Sequence, residues 1–261
     1  MKELALLTGA STGIGYEMAG ELAARKHDLI LVARNAEKLE SLKAELTATY
    51  GIRVQVFACD LSETAAAVRL YEAVKAAGLR VTMLINNAGK GLYGKFVDIP
   101  LPAELEMISL NISALITLTK LFGHDMKEAG YGRIMHVASL LSFLPFPYYS
   151  VYSATKAFVL AFSETIAAEL EAHGVTVTTL CPGPVNTAFN TPAMLHTNAY
   201  RVNKPIEPRI VAKAGINHLL TGRGVKVVGL NNWLLAKLSG ITPARLMLRI
   251  KTKLASPYQK N

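Results

Sequence analysis

The sequence predicts a single α/β domain built on a doubly wound parallel sheet of about seven strands, with helices on both faces. Three observations carry that prediction. Short, nearly continuous apolar and β-branched runs alternate with segments of helical period from the start of the chain, as strands buried on both faces require. Right-handed crossovers between such strands wind the sheet outward in two directions. No Pro/Gly/Ser-rich linker, internal repeat or low-complexity tract divides the 261 residues, so residues 1–261 are read as one domain.

In chain order, LALLT (4–8) is the first strand and residues 13–26 the first helix. DLILVA (28–33) precedes a helix over 36–50, and VQVFA (54–58) one over 62–77. VTMLIN (81–86) is the fourth strand, followed by helical stretches to about 129. RIMHVAS (133–139), a long helix over 150–172 and VTVTTLC (175–181) continue the series, and VKVVG (225–229) is read as the closing edge strand. Segment 184–206 lacks a clear period and is read as a substrate loop; residues 231–261 are read as a basic helical tail.

Hydrophobic residues make up 51% and charged residues 18%, a globular balance rather than a disordered one. The net charge of +9 is local: residues 201–261 hold 12 of the 28 Lys+Arg and a single acid, Glu207. The two cysteines, Cys59 and Cys181, cannot form a disulfide framework and are expected as buried free thiols in a reducing compartment. Neither has a partner at ligand spacing, so no metal is expected. The N-terminus meets a glycine turn too early for a signal peptide, and no apolar run reaches the ~20 residues that span a bilayer. A cytoplasmic protein is expected.

TGASTGIG (8–15) joins the first strand to the first helix. Its glycines, Gly9, Gly13 and Gly15, permit a tight turn and close approach of a pyrophosphate to the backbone. The amides and positive dipole end of the following helix then face the phosphates. Gly9, Ser11, Thr12, Gly13, Ile14 and Gly15 are therefore read as the cradle of a dinucleotide. An acid usually ends the second strand of such a fold and holds the ribose 2′-hydroxyl. Here Ala33 takes that place and Arg34 follows. A guanidinium without a neighbouring carboxylate suits a 2′-phosphate, so NADP(H) is favoured over NAD(H).

Three of the ten tyrosines have lysine at the fourth following position: Tyr71–Lys75, Tyr152–Lys156 and Tyr200–Lys204. The spacing places both side chains on one helix face and decides nothing else. Tyr71 lies mid-helix and is read as a packing residue. Tyr200, beside Arg201, is read as part of a solvated basic stretch. Tyr152 opens a long helix 13 residues after Ser139, which sits at the C-terminal end of the fifth strand, where open α/β sheets place ligands. Tyr152, Lys156 and Ser139 are the candidate cluster for carbonyl chemistry.

The ordered set TGASTGIG, Asp60, NNAG (86–89), Asn111, Ser139, YSATK (152–156) and PGPVNT (182–187) resembles the short-chain dehydrogenases/reductases over roughly residues 4–190. VYSATKAF and CPGPVNT are similar to the subgroup of broad or unassigned substrates near the hydroxysteroid dehydrogenases and long-chain 3-oxoacyl reductases. The resemblance implies a Rossmann fold and the following roles. Tyr152 donates the proton to the carbonyl; Lys156 lowers the phenol's pKa and holds the nicotinamide ribose. Ser139 binds the substrate oxygen, and Asn111 positions a water linking Lys156 to solvent. Asp60 contacts adenine, while Asn87, Ala88 and Gly89 line the cofactor cleft. Pro182, Gly183, Val185 and Thr187 border the nicotinamide, with Thr187 on its carboxamide. Read without the family, Asn111 is a packing or capping residue, Asp60 a helix cap and Asn86–Asn87 turn chemistry. Homodimers or homotetramers through the helices over about 103–129 and 150–172 are also implied.

Phe143, Leu144, Phe146 and Tyr148 offer an apolar substrate wall or core packing. In the tail, Arg245, Arg249 and Lys253 share one helix face, Met247, Ile250 and Leu254 another, and Pro243 is read as opening the second of two short helices. Docking on the protein with solvated charges is the first reading. Weak contact with an anionic membrane and attraction of an acidic substrate group are the others. No recognised nucleic-acid module accompanies the basic stretch. The expected activity is NADP(H)-dependent interconversion of a carbonyl and a secondary alcohol on an apolar small molecule. A non-catalytic NADP(H) sensor and a membrane-surface adaptor are the rivals.

Overall fold

A computed structural model describes residues 3–239 and 244–256. Seven strands form one sheet: β1 (Leu4–Thr8), β2 (Asp28–Ala33), β3 (Val54–Ala58), β4 (Met83–Asn86), β5 (Gly132–Val137), β6 (Val175–Cys181) and β7 (Gly224–Val227). Their order is β3-β2-β1-β4-β5-β6-β7, and every pairing is parallel. The chain winds outward from β1 to β3, then crosses back to β4 on the other side of β1. That reversal opens a crevice above the C-terminal ends of β1 and β4.

Alternation along the strands builds two cores. Ala5, Leu7, Leu29, Leu31, Met83 and Ile85 face one side. Leu6, Ile30, Val32, Leu84 and Ile134 face the other. Because side chains alternate at each residue, both faces of a central strand must be apolar; each of these residues is fully buried. On the first side the sheet is covered by α1 (Gly13–Ala24), α2 (Ala36–Tyr50) and, further along the chain, the helix at Pro208–Thr221. The second side carries α3 (Ala66–Ala76), then α4 (Leu101–Ile108), set outside the sheet-packed layer, and then α5 (Leu115–Glu128) and α6 (Ser150–Glu171) on the sheet; α4 packs against α6. A π-helical segment, Ser109–Ala114, joins α4 to α5.

The expected elements hold with local shifts. The helix expected over 62–77 begins at Ala66, because Asp60 captures the Ser62 amide and Ala65 adopts φ +59°. The fifth strand stops at Val137, where Ser139 turns the chain into the short 3₁₀ helix Leu140–Ser142. Leu101–Glu128 is one 28-residue helical run, long and apolar enough to cross a membrane by length and composition. The reading that no run reaches that length missed it, since polar residues interrupt its periodic apolar face. Leu118, Phe122 and Met126 of that run are buried in the second core.

Segment 184–206 carries two short helices, α7 (Pro192–Leu195) and α8 (Asn198–Val202), followed by α9 (Pro208–Thr221). Thr191 and Thr197 cap the first two, accepting from the amides of Met194 and Tyr200. The tail forms α10 (Leu230–Ser239) and α11 (Ala244–Ala255). Pro243, expected to open the second tail helix, lies outside the described residues.

Candidate active site

A cavity of about 1040 Å³ opens over the sheet's C-terminal edge. Every residue expected to act in catalysis or cofactor binding lines it except Asn111. The phosphate end is built by close backbone approach. Gly9 has φ +67°, and a Cβ there would lie 2.9 Å from the Ala88 Cα. A Cβ on Gly15 would collide with the Gly9 carbonyl oxygen. The turn is therefore closed to larger residues from both directions. Thr8 Oγ accepts from the amides of Asn87 (3.0 Å) and Ala88 (2.9 Å). The Asn87 side chain donates to the carbonyls of Thr8 and Gly9 at 2.9 and 3.2 Å. Asn87 thus staples the loop after β4 to the glycine turn.

At the end of β2, Arg34 is 73% exposed and its Nη1 lies 3.7 Å from Asp60 Oδ2. Lys38, not anticipated from the sequence, lines the same end of the cavity; its amide is held by the Asn35 cap at 2.8 Å. Burial pushes the Asp60 carboxyl up, but hydrogen bonds from Ser62 and the Arg34 guanidinium together hold it below its ordinary value. Two cations at the end of β2 and a backbone cradle beside them form a site for phosphate groups.

The reactive end lies between β5 and α6. Tyr152 and Lys156 are both buried on the inward face of α6. Lys156 Nζ stands 5.9 Å from the Tyr152 ring centroid and donates to the Val137 carbonyl at 2.8 Å. Ser139 Oγ accepts from the Leu141 amide at 3.1 Å, and its side chain hydrogen-bonds Tyr152. Burial pushes the Tyr152 phenol up to about 12, and the Ser139 hydrogen bond pulls it back only in part. Burial also pushes Lys156 down to about 8. The expectation that Lys156 moves the phenol toward neutrality is thus corrected: desolvation dominates, and the lysine is turned toward Val137. The phenol is a loaded proton donor at neutral pH.

Asn111 does not line the cavity. Its side chain accepts from the Lys90 amide at 2.9 Å and donates to the Lys90 carbonyl (2.9 Å) and Thr155 Oγ (3.1 Å). The π-helical turn points it into the gap between the loop after β4 and α6. A Cβ on Gly89 would meet Asn111 Oδ1 at 3.3 Å and Lys156 Nζ at 3.4 Å. Asn111 is a brace beside the lysine, with its hydrogen-bonding groups committed to protein partners.

The family model for short chain dehydrogenase matches residues 3–197. The chain belongs to the short chain dehydrogenase family. Human 17-beta-hydroxysteroid dehydrogenase type 3 is 34% identical over 203 residues, 76% of this chain and 63% of that one. A very-long-chain 3-oxoacyl-CoA reductase of Pyrenophora tritici-repentis is 38% identical over 192 residues, 71% of this chain and 56% of that one. The chain therefore spans about six-tenths of the length of these curated relatives. A solved short-chain dehydrogenase from Sphingobium yanoikuyae, in complex with NADPH, superposes with a TM-score of 0.80 at 28% identity, covering 99% of each chain.

In this short-chain dehydrogenase the far end of the cavity was the least legible part. Leu144 and Phe146 line it as anticipated. Phe143 instead packs under α6, and Tyr148 leans on Tyr93 with centroids 5.7 Å apart. Phe189 lies against Tyr152 at 5.8 Å between centroids. Tyr200, read as solvated, lines the cavity, and its hydroxyl accepts from Asn190 at 2.8 Å. Asn190 also donates to the Val185 carbonyl at 2.6 Å and ties the segment together. The capping pairs Thr191–Pro192 and Thr197–Asn198 were the signal available for this structure. Nothing local marked Phe189 or Asn190.

Proposed function

We propose that the chain is an NADP(H)-dependent oxidoreductase that interconverts a carbonyl and a secondary alcohol on a largely apolar substrate. The observation that carries this is the buried Tyr152 hydroxyl, partnered by Ser139, beside Lys156 in one cavity with the glycine cradle. The residues present fit the cofactor. Gly9 and Gly15 leave the cradle open to a pyrophosphate, and Arg34 with Lys38 can take a 2′-phosphate. When bound, NADPH supplies the hydride. Tyr152 donates its proton to the substrate oxygen, which Ser139 holds in place. Lys156, anchored on the Val137 carbonyl, stands beside the Tyr152 ring at the cavity wall, and Asn111 holds the loop after β4 against α6. Thr187, whose methyl lies against Gly13, and Val185 close the nicotinamide side.

The test is cofactor consumption with a panel of ketones, aldehydes and 3-oxoacyl thioesters. Turnover with NADPH at about tenfold or greater advantage over NADH is expected, one charge-assisted contact being worth ~1.5–3 kcal/mol. Cofactor binding without turnover across the panel would favour the NADP(H)-sensor reading. The proton donor in place does not favour it, since a sensor needs none.

A second reading concerns the tail surface. α10 and α11 expose Leu230, Trp233, Leu234, Leu246 and Leu248 beside exposed Arg245, Arg249 and Lys253. We propose weak docking of this surface on an anionic bilayer. Pelleting with vesicles containing about 30% phosphatidylserine should fall on Trp233→Ser with Leu248→Ser; unchanged pelleting removes the idea.

A further inference from the structure

α11 docks with its expected apolar face, Met247, Ile250 and Leu254, lining the cavity. Met247, Lys251 and Ala255, one turn apart, face the protein, while Leu246 and Leu248 are exposed. Hydrogen bonds hold it there: the Tyr93 hydroxyl donates to the Ala255 carbonyl at 2.7 Å, and the Asn198 side-chain amide to the Lys253 carbonyl at 3.0 Å. As a result Lys251, only 9% exposed, lines the cavity between Met247 and Leu254.

Among the described residues nothing pairs with this ammonium. The acids lining the cavity are Asp60 and Glu106. Asp60 is engaged by Ser62 and Arg34, and Glu106 by Lys90 at 2.8 Å. Burial lowers the pKa of Lys251, with no carboxylate or hydrogen bond opposing it. A cation in an apolar wall without a counter-ion is costly, and a ligand bearing one negative charge relieves that cost.

We infer that Lys251 is a specificity-determining residue that receives a carboxylate, so that the cavity takes carbonyl compounds whose apolar body ends in a carboxylate remote from the reacting carbonyl. One ammonium balances one negative charge, whereas a phosphate dianion would leave charge uncompensated in the same wall. The inference rests on the carbonyl–alcohol activity proposed for Tyr152 and names its substrate class.

The test compares long-chain keto acids with their methyl esters as NADPH-dependent substrates. The wild-type chain should favour the acid in kcat/KM by about 10- to 100-fold, the value of one charge-assisted hydrogen bond. The difference should lie mainly in KM, because the contact is the same before and during reaction. Lys251→Met should bring the ratio to about one, Lys251→Arg should keep most of it, and Lys251→Glu should turn it against the acid. Equal values for acid and ester in the wild type, or the same ratio in Lys251→Met, would overturn the inference. So would a keto phosphate ester preferred over the keto acid. Turnover of the esters in those cases leaves the oxidoreductase reading intact. If no carbonyl compound is reduced, that reading fails instead. Calorimetric titration of the corresponding hydroxy acid and ester into wild type and Lys251→Met then reads the Lys251 contact by itself: acid-selective binding lost in the variant supports it, and equal binding refutes it.

Discussion

Tyr71–Lys75 on α3 and Tyr152–Lys156 on α6 share a spacing, a helical setting and a face of the sheet. They differ in one neighbour. On α3 the Tyr71 hydroxyl donates to Asp125 at 3.1 Å, and Lys75 Nζ lies 2.9 Å from the same carboxylate. Among the described residues no such acid stands beside the pair on α6; Lys156 donates to the Val137 carbonyl, and Tyr152 meets Ser139. The carboxylate consumes both side chains of the first pair and turns it into a pin between α3 and α5. Its absence leaves the second pair buried and open to the cavity. Lys75 is held above its ordinary pKa by Asp125, whereas burial brings Lys156 down to about 8. Equal spacing therefore gives equal geometry, and the surroundings assign the chemistry.

The largest expected separation is catalytic. Tyr152→Phe should lower kcat by about 10²- to 10⁴-fold, the usual worth of a positioned proton donor, with NADPH binding retained. Tyr71→Phe should leave kcat as it is. Steady-state kinetics with any substrate found in the panel checks both, and comparable losses in the two variants would dissolve the contrast.

A smaller separation is expected in the pH dependence of stability. The folded pKa of Lys156, about 8, lies below its unfolded value of ~10.4. Between those values the unfolded chain binds more protons, so stability rises with pH across that window. Lys75 has the opposite sign: its raised pKa contributes stability at lower pH that is lost as pH climbs through the folded value. Lys156→Met should therefore flatten the rise between pH 7.5 and 9.5 by on the order of 1–2 kcal/mol, read from urea midpoints. Lys75→Met should not flatten it. The smallest effects are those of the α3 pin at neutral pH. Tyr71→Phe should cost about 1 kcal/mol for its hydrogen bond, and Lys75→Met at most about 1 kcal/mol for an exposed ion pair.

Most of the sheet was legible because alternation and period are local properties. Leu6 and Leu7 must face opposite sides of β1 whatever surrounds them, and DLILVA, VQVFA and VTVTTLC mark strands whose bounds the structure reproduces. The glycine turn was legible for the same reason, since Gly9 and Gly15 answer to contacts within a few residues. Tyr152, Lys156 and Ser139 were found through their place at the end of β5 and the start of α6. Asn111 was found through family resemblance, and the structure altered its part: a π-helical turn aims it at Lys90 and Thr155.

The sequence by itself determined the winding of the sheet, the phosphate cradle and the reactive trio, because each rests on residues near one another in the chain or on a repeating pattern. Tertiary structure alone decided which tyrosine–lysine pair stays free, since Asp125 lies about fifty residues from Tyr71. It alone also put Phe189 against Tyr152 and turned Lys251 inward. Those outcomes depend on desolvation and on partners brought from distant segments, and burial is a property of the assembled fold, not of the chain that assembles it.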